Sequence, residues 1–366
     1  MEKTYPSLEQ RIFAVSEAAI PPFHPSQYAD YQGQRQFYDF LKTLYRVLLE
    51  DPLLLFSTLH EDGFYTRRYN RSSEGKPELY RNMMAARKKI EGLFTLLMTV
   101  GREGELRDDG MDIPREVRLN KKILALLEAA GLICEKHNGG LHIRTGQRGK
   151  MFAVLRWMAQ REDADLLRFA QGRFCLREEA HCYALEALCT IAPDPEVLRL
   201  FDAHLLEKGF TRIEYRDAGS ALIELDYVKN YPLTKKELDL PVKDAWAERT
   251  HSGLSLRYDF YMEHPVCYCL RAPHMDEVLH GIHNMPPEVR CFILRWNKKC
   301  DGCRYCVQTD KTGSRPLRAV QAEGCALCPL FPGFNYSWET FDRDLMRDVS
   351  GYLDYIDRYF GEKVLH

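Results

Sequence analysis

The sequence predicts an α+β protein, with a mostly helical N-terminal half followed by a small antiparallel sheet that helices cover and that carries a cysteine-rich metal loop. Three observations predict it. Apolar residues recur at helical spacing through the first half of the chain. Period-two alternation is concentrated in TRIEYRDAGSALIELDYV, LSLRYDFYM and PVCYCL. Five of the twelve cysteines fall between Cys300 and Cys328.

A chain of 366 residues exceeds one ordinary core, so several domains are expected. Its composition, 45% hydrophobic and 28% charged, is that of a soluble globular protein. A net charge of −2 gives no global reason to expect nucleic acid or an anionic membrane as partner. The opening MEKTYPSLEQRIFAV mixes acids through it and has no signal-peptide core, and the apolar runs LLLF and FTLLMTV are far too short to span a bilayer. A cytoplasmic location is therefore expected, with no membrane contact. In that reducing compartment the cysteines act as ligands or buried thiols before they act as disulfides.

In QRQFYDFLKTLYRVLLEDP, one helical face carries Phe37, Phe40, Leu41, Leu44, Tyr45 and Leu48 before Asp51-Pro52 ends it. The Arg-rich YTRRYNRSSEGK, residues 65–76, is a solvated connection or a surface contact. Leu79, Ile90, Leu93 and Leu97 mark the next helix, which Gly101, Gly104 and the DDG at 108–110 close.

Val117, Ile123, Leu124, Leu127 and Leu132 predict a further helix, and Asn138-Gly139-Gly140 between alternating runs predicts a hairpin. This helix and hairpin, around residues 113–146, resemble the recognition helix and wing of winged-helix regulators. The resemblance implies phosphate contacts from Arg115, Arg118, Lys121 and Lys122 on the helix, with Arg144, Arg148 and Lys150 flanking the wing. Glu116, Glu128 and Glu135 oppose DNA binding, and such units also serve as protein-contact or structural domains.

Helices continue over about 151–209, where Cys175, Cys182 and Cys189 recur every seven residues and predict one buried helical stripe. Asp217-Ala218-Gly219 then marks a hairpin, and a second strand pair puts Cys267 and Cys269 on one sheet face, as buried thiols or as ligands. His280 and His283 form an i, i+3 pair on a helix, either as surface residues or as a metal-binding pair. Pro286-Pro287-Glu288 starts the next helix, whose buried stripe is Val289, Phe292, Ile293 and Trp296. A terminal helix carrying Phe341, Leu345, Val349, Tyr352, Leu353, Ile356 and Phe360 is expected to cover the sheet. The expected division is a helical region 1–77, a winged-helix-like domain 78–160, a helical connector 161–209 and an α+β domain 210–366.

The cysteine loop carries the strongest chemistry. Cys303/Cys306 and Cys325/Cys328 are two Cys-x2-Cys pairs separated by eighteen residues, a spacing that tetrahedral zinc accepts. Cys300/Cys303 is an alternative first pair, so Cys303, Cys325 and Cys328 belong to either set and Cys300 or Cys306 completes it. The run Cys300, Cys303, Cys306, with Cys328 followed by Pro329, also echoes an iron–sulfur ligand run. In that run, however, the fourth cysteine follows closely, so the paired spacing favours zinc.

From about residue 254 onward, the helix PPEVRCFILRW, the cysteines of CDGCRYC and CALC, and SWETFDRDL are similar to the small cysteine-rich α+β domains of uncharacterised bacterial families. The resemblance implies no catalytic residues. The sequence has no Gly-rich phosphate loop, nucleophile elbow, HExxH or diagnostic carboxylate pair. The expected function is therefore a non-enzymatic binding or regulatory protein with structural zinc. The rivals are an iron–sulfur redox protein or enzyme, a winged-helix DNA regulator, and a ligand sensor whose pocket uses Tyr258, Phe260, Tyr261 and Tyr268. Arg290, Arg295, Lys298, Lys299, Arg304 and Lys311, with Arg315 and Arg318, face only Asp301 and Asp310, a local +6. Followed by Phe331, Phe334, Tyr336 and Trp338, this segment either grips nucleic acid or is a solvated face beside core aromatics.

Overall fold

The computed structural model describes residues 7–60, 76–137, 140–146, 149–162, 165–175, 183–214, 221–238, 251–259, 267–300, 319–329, 336–338 and 340–364. The chain divides into two compact units, Met1–Thr190 and Ile191–His366.

The first unit is built on helices α1 (Leu8–Ala18), α2 (Tyr31–Glu50), α3 (Lys76–Glu103), α5 (Lys150–Gln160), α6 (Leu166–Ala170) and α7 (Tyr183–Ile191). The apolar face of α2 reads directly into packing: Phe37, Leu41, Leu44 and Leu48 are fully buried. Asp30 starts this helix by accepting the Gly33 amide at 2.7 Å. Asp51 ends it and caps the following 3-10 turn, Pro52–Leu54, by accepting from the Leu53 amide at 3.1 Å. The Arg-rich segment after it lies outside the described residues, apart from Lys76, the first residue of α3.

Between α3 and α5 the chain forms β1 (Glu105–Leu106), β2 (Gly110–Pro114), α4 (Lys121–Ala129), β3 (Leu132–His137) and β4 (Gly140–Thr145). The strands make an antiparallel sheet in the order β1-β2-β4-β3, and the expected hairpin pairs Leu132 with Thr145 through His137 with Gly140. The helix expected from Val117 to Leu132 is shorter. Val117 lies in a turn, its amide bonded to the Pro114 carbonyl at 3.1 Å, and Leu132 opens β3. Asn120 starts α4 by accepting the Ile123 amide at 3.0 Å. Gly131, at φ +92°, reverses the chain after it, a conformation open to glycine at little cost. The cysteine stripe is also corrected. Cys189 is on α7, but Cys175 precedes that helix in non-helical chain, and Cys182 lies outside the described residues. Cys175 and Cys189 are both buried.

The second unit holds α8 (Pro195–Glu207), β5 (Thr211–Glu214), β6 (Ala221–Asn230), α9 (Lys235–Leu238), β7 (His251–Asp259), β8 (Cys267–Arg271), α10 (Met275–His280), α11 (Pro287–Trp296), β9 (Val320–Ala322), β10 (Cys325–Leu327), β11 (Tyr336–Trp338) and α12 (Arg343–Gly361). Five strands form an antiparallel sheet, β11-β8-β7-β6-β5, and β9 pairs with β10. Asp342 caps α12 by accepting the Leu345 amide at 2.8 Å. The predicted face of α12 is buried, and Tyr352 meets Phe292 of α11 and Tyr336 of β11 at ring distances of 5.1 and 5.5 Å. Along α11, Val289, Phe292 and Ile293 are buried as expected, while Trp296 is half-buried. His280 ends α10 and His283 lies in the 3-10 turn Ile282–Asn284, so the pair straddles a helix end at Gly281. Among the described residues, no helix is long and apolar enough to cross a membrane.

Candidate functional site

Three of the five candidate metal cysteines are described. The chain leaving α11 runs antiparallel to β10: the Cys300 amide donates to the Ala326 carbonyl at 2.8 Å and the Cys328 amide to the Lys298 carbonyl at 2.9 Å. Lys299 stands opposite Leu327. Strand alternation then sets Cys300 and Cys328 on one face of this short ladder. Cys328 is buried, Cys325 half-buried and Cys300 exposed. Cys325 is the first residue of β10, and the same alternation directs it to the other face. Cys303 and Cys306 lie outside the described residues. Among the described residues, no group of three or more His, Cys, Asp or Glu side chains is disposed to hold a metal ion.

Two features fix this ladder. Asn297, 3% exposed, donates from Nδ2 to the Lys298 carbonyl at 3.0 Å and to the Cys328 carbonyl at 3.2 Å, so one side chain ties both chains together. On the far side, Glu323 and Gly324 adopt φ +46° and +77° in a two-residue turn joining Ala322 to Cys325, and this reversal brings the CALC pair against the α11 exit. Cysteine spacing revealed the candidate ligands; no local signal marked Asn297.

The described part of the basic segment is engaged within the unit. Arg290 lies 3.6 Å from Glu323, the Arg295 guanidinium sits 4.6 Å over the Trp296 ring, and Lys299 Nζ donates to the Leu294 carbonyl at 2.7 Å. Arg304, Lys311, Arg315, Arg318, Phe331 and Phe334 lie outside the described residues. Tyr336 and Trp338 are buried core residues, so their ring faces are not available for stacking bases. Of the suggested sensor aromatics, Tyr268 is buried and stacks on Phe341 at 4.8 Å, while Phe260 and Tyr261 lie outside the described residues.

In the strand–helix–hairpin region some of the cations are likewise engaged, while Arg118 and Lys121 are exposed. Lys122 Nζ donates to the Leu53 and Phe56 carbonyls at 3.2 and 2.9 Å, Arg144 pairs with Glu135 at 2.7 Å, and Lys150 lies 3.5 Å from Asp30. Arg148 lies outside the described residues. On the adjoining strands, Asp112 receives Arg107 Nε at 2.6 Å and faces His142 Nδ1 at 2.7 Å, while His142 Nε2 faces Asp109 at 3.3 Å. Arg107 first, and then His142, hold the Asp112 carboxyl below its ordinary range.

A further polar arrangement lies on the five-stranded sheet. Cross-strand register places Asp226, Cys269 and Ser337 in one row, with Glu224 in the next row on one side and Arg271 in the next on the other. Asp226, Glu224, Cys269 and Arg271 are all buried. The opposite face of β6 carries the fully buried Leu225 and Tyr227, so this strand is buried on both faces. The sequence showed the alternation but gave no sign that its polar positions would be buried.

No protein-family model, curated protein or solved structure matches the chain.

Proposed function

We propose that this is a non-enzymatic binding or regulatory protein whose C-terminal unit is held by one structural zinc ion, bound through Cys303, Cys325, Cys328 and a fourth thiolate, Cys300. The observation that supports the reading is the ladder joining 298–300 to 326–328, which has Cys300 and Cys328 diagonally related on one face and is the reason for choosing Cys300 as the fourth ligand. A four-thiolate site leaves no position for water, so such an ion stabilises the fold and does not activate a nucleophile. Cys325 stands directly after the Glu323–Gly324 turn and is the ligand whose direction ion binding has to change. Elemental analysis of anaerobically purified full-length protein tests the reading: about one zinc per chain is expected. Iron with sulfide and a brown colour would establish the rival iron–sulfur reading, and a metal-free, folded chain would remove both.

The order of strand, helix and hairpin around β2, α4, β3 and β4 supports a winged-helix shape for residues 110–145, serving as a structural or protein-contact unit. The internal engagement of Lys122, Arg144 and Lys150 weighs against duplex DNA as its ligand.

A further inference from the structure

A depression on the described surface belongs to neither feature. It lies beside α2 in the first unit, with a volume of about 420 Å³. That volume falls in the range of small-molecule sites. Its lining includes Phe23, Arg35, Tyr38, Asp39, Lys42 and Arg46, which is three cations to one carboxylate. Helical geometry gathers the cations: residues 35, 42 and 46 are spaced by seven and then four, which keeps them on one side of α2. The opposite side of the helix carries the buried Phe37, Leu41, Leu44 and Leu48, so this cationic side is its outward one.

The cleft is a built surface. Tyr38 is 6% exposed and donates its hydroxyl to the Pro21 carbonyl at 2.8 Å, which fixes its ring as the floor. Phe23 packs edge-on against Tyr38, Phe174 and Tyr31 at 5.4, 5.8 and 5.6 Å. Arg35 is held over the Phe23 ring at 5.2 Å and is paired with Asp39 at 3.1 Å. Arg46 meets Glu17 through Nε at 3.0 Å. Lys42 Nζ hangs 5.9 Å from the Tyr38 ring and, among the described residues, meets no carboxylate. Tyr31, packed on Phe23, is 63% exposed.

We propose that this cleft binds a nucleoside phosphate, with Lys42 and Arg46 taking the phosphate and the base lying against the aromatic edge formed by Phe23 and Tyr31. A phosphate accepts charge-assisted hydrogen bonds from both cations, and an exposed tyrosine offers a stacking face that tolerates any base. The site lies in a different unit from the cysteines and stands or falls independently of the zinc reading.

The test is calorimetric titration of the full-length protein with AMP, ribose 5-phosphate and inorganic phosphate. AMP is expected to bind saturably and more tightly than ribose 5-phosphate by about fivefold or more, the stacking contribution. Lys42→Ala and Arg46→Ala are each expected to weaken AMP by about tenfold, whereas Lys88→Ala, on the exposed side of α3, leaves it unchanged. Tyr31→Ala is expected to remove the preference for AMP over ribose 5-phosphate while leaving the phosphate contribution in place. Circular dichroism of each variant confirms that the fold is kept. No saturable binding of any of the three, binding indifferent to Lys42 and Arg46, or equal affinity for AMP and ribose 5-phosphate overturns the proposal. So does a single-stranded oligonucleotide that binds this face while AMP does not.

Discussion

The Asn297 side-chain amide donates to the backbone carbonyl of Cys328 across 3.2 Å, and to its neighbour Lys298 at 3.0 Å. These two bonds link the end of α11 to the second cysteine pair before any metal is considered. Asn297 Oδ1 is buried and meets no donor among the described residues, so the side chain is held by its donors alone.

Asn297→Ala removes both hydrogen bonds, while the Lys298 carbonyl keeps the Cys328 amide as donor. The expected loss is ~1–3 kcal/mol in the stability of the second unit. Urea unfolding followed by tryptophan fluorescence reads it, since Trp296 directly precedes Asn297 and its ring lies 6.0 Å from that of Trp338. A midpoint unchanged from wild type would show that the ladder stands without Asn297.

Lys122 distinguishes a structural from a nucleic-acid role for α4. Its ammonium bonds the Leu53 and Phe56 carbonyls, so Lys122→Met should cost about 1 kcal/mol of stability, the modest value reflecting its exposure. Duplex DNA affinity is expected to be weak in the wild type and unchanged in the variant. A salt-dependent, sequence-selective gel shift abolished by neutralising Lys121 and Lys122 would reverse that assignment.

The Asp112 carboxylate gives a pH dependence with a defined sign. Arg107 and His142 depress its folded value below the ordinary 3.8, with His137 3.6 Å away and Asp109 and Glu105 completing the charged surroundings. Because the folded value is the lower one, its contribution is present in full above 3.8 and is withdrawn as pH falls through the folded value. The stability difference between wild type and Asp112→Asn should therefore be constant near pH ~5 and shrink as the solution is acidified below 3.8. A difference that grows on acidification would contradict the pairing.

Much of the fold could be read from local pattern. α2 and α12 each show an apolar face in the sequence, and both elements appear where that face puts them. The helix over 117–132 was over-extended because Val117 and Leu132 keep helical spacing by coincidence. Gly131 was the available signal for a stop, and the pairing of Leu132 with Thr145 decided the boundary. The cysteine spacing was equally legible, but the ladder that places Cys300 by Cys328 joins backbone 28 positions apart and leaves no local trace. The burial of Asp226 and Arg271 depends on what covers the sheet, and alternation alone does not record that.

Thiol chemistry separates the cysteines by environment. Burial, reinforced by the charge of Glu128, pushes the Cys134 thiol up to about 11, so it holds almost no thiolate at neutral pH. Cys291 and Cys300 are both exposed. Under maleimide at neutral pH, Cys291 should label first and Cys134 last. Cys300 should label slowly while zinc is bound and at the rate of Cys291 after chelation. Equal rates for Cys291 and Cys300 before chelation would remove Cys300 from the ligand set.

The sharpest test of the metal is Cys328→Ser. Cys328 belongs to every zinc arrangement the spacing allows, whereas Cys300 belongs to only one of them. A structural zinc site contributes on the order of 10–16 kcal/mol of apparent binding free energy near neutral pH. A whole domain is stable by only ~5–15 kcal/mol. Losing the ion should therefore unfold the second unit, because its ligand segment connects α11 to α12 and both helices bury their apolar faces in one aromatic cluster around Phe292 and Tyr352. Limited proteolysis of Cys328→Ser should cut within residues 191–366 and spare the unit Met1–Thr190. The Asn297→Ala variant serves as the control: it loosens the same ladder with all five thiols intact, so it should keep its zinc. If Cys328→Ser retains wild-type zinc and resists protease throughout, zinc is not what holds this unit together.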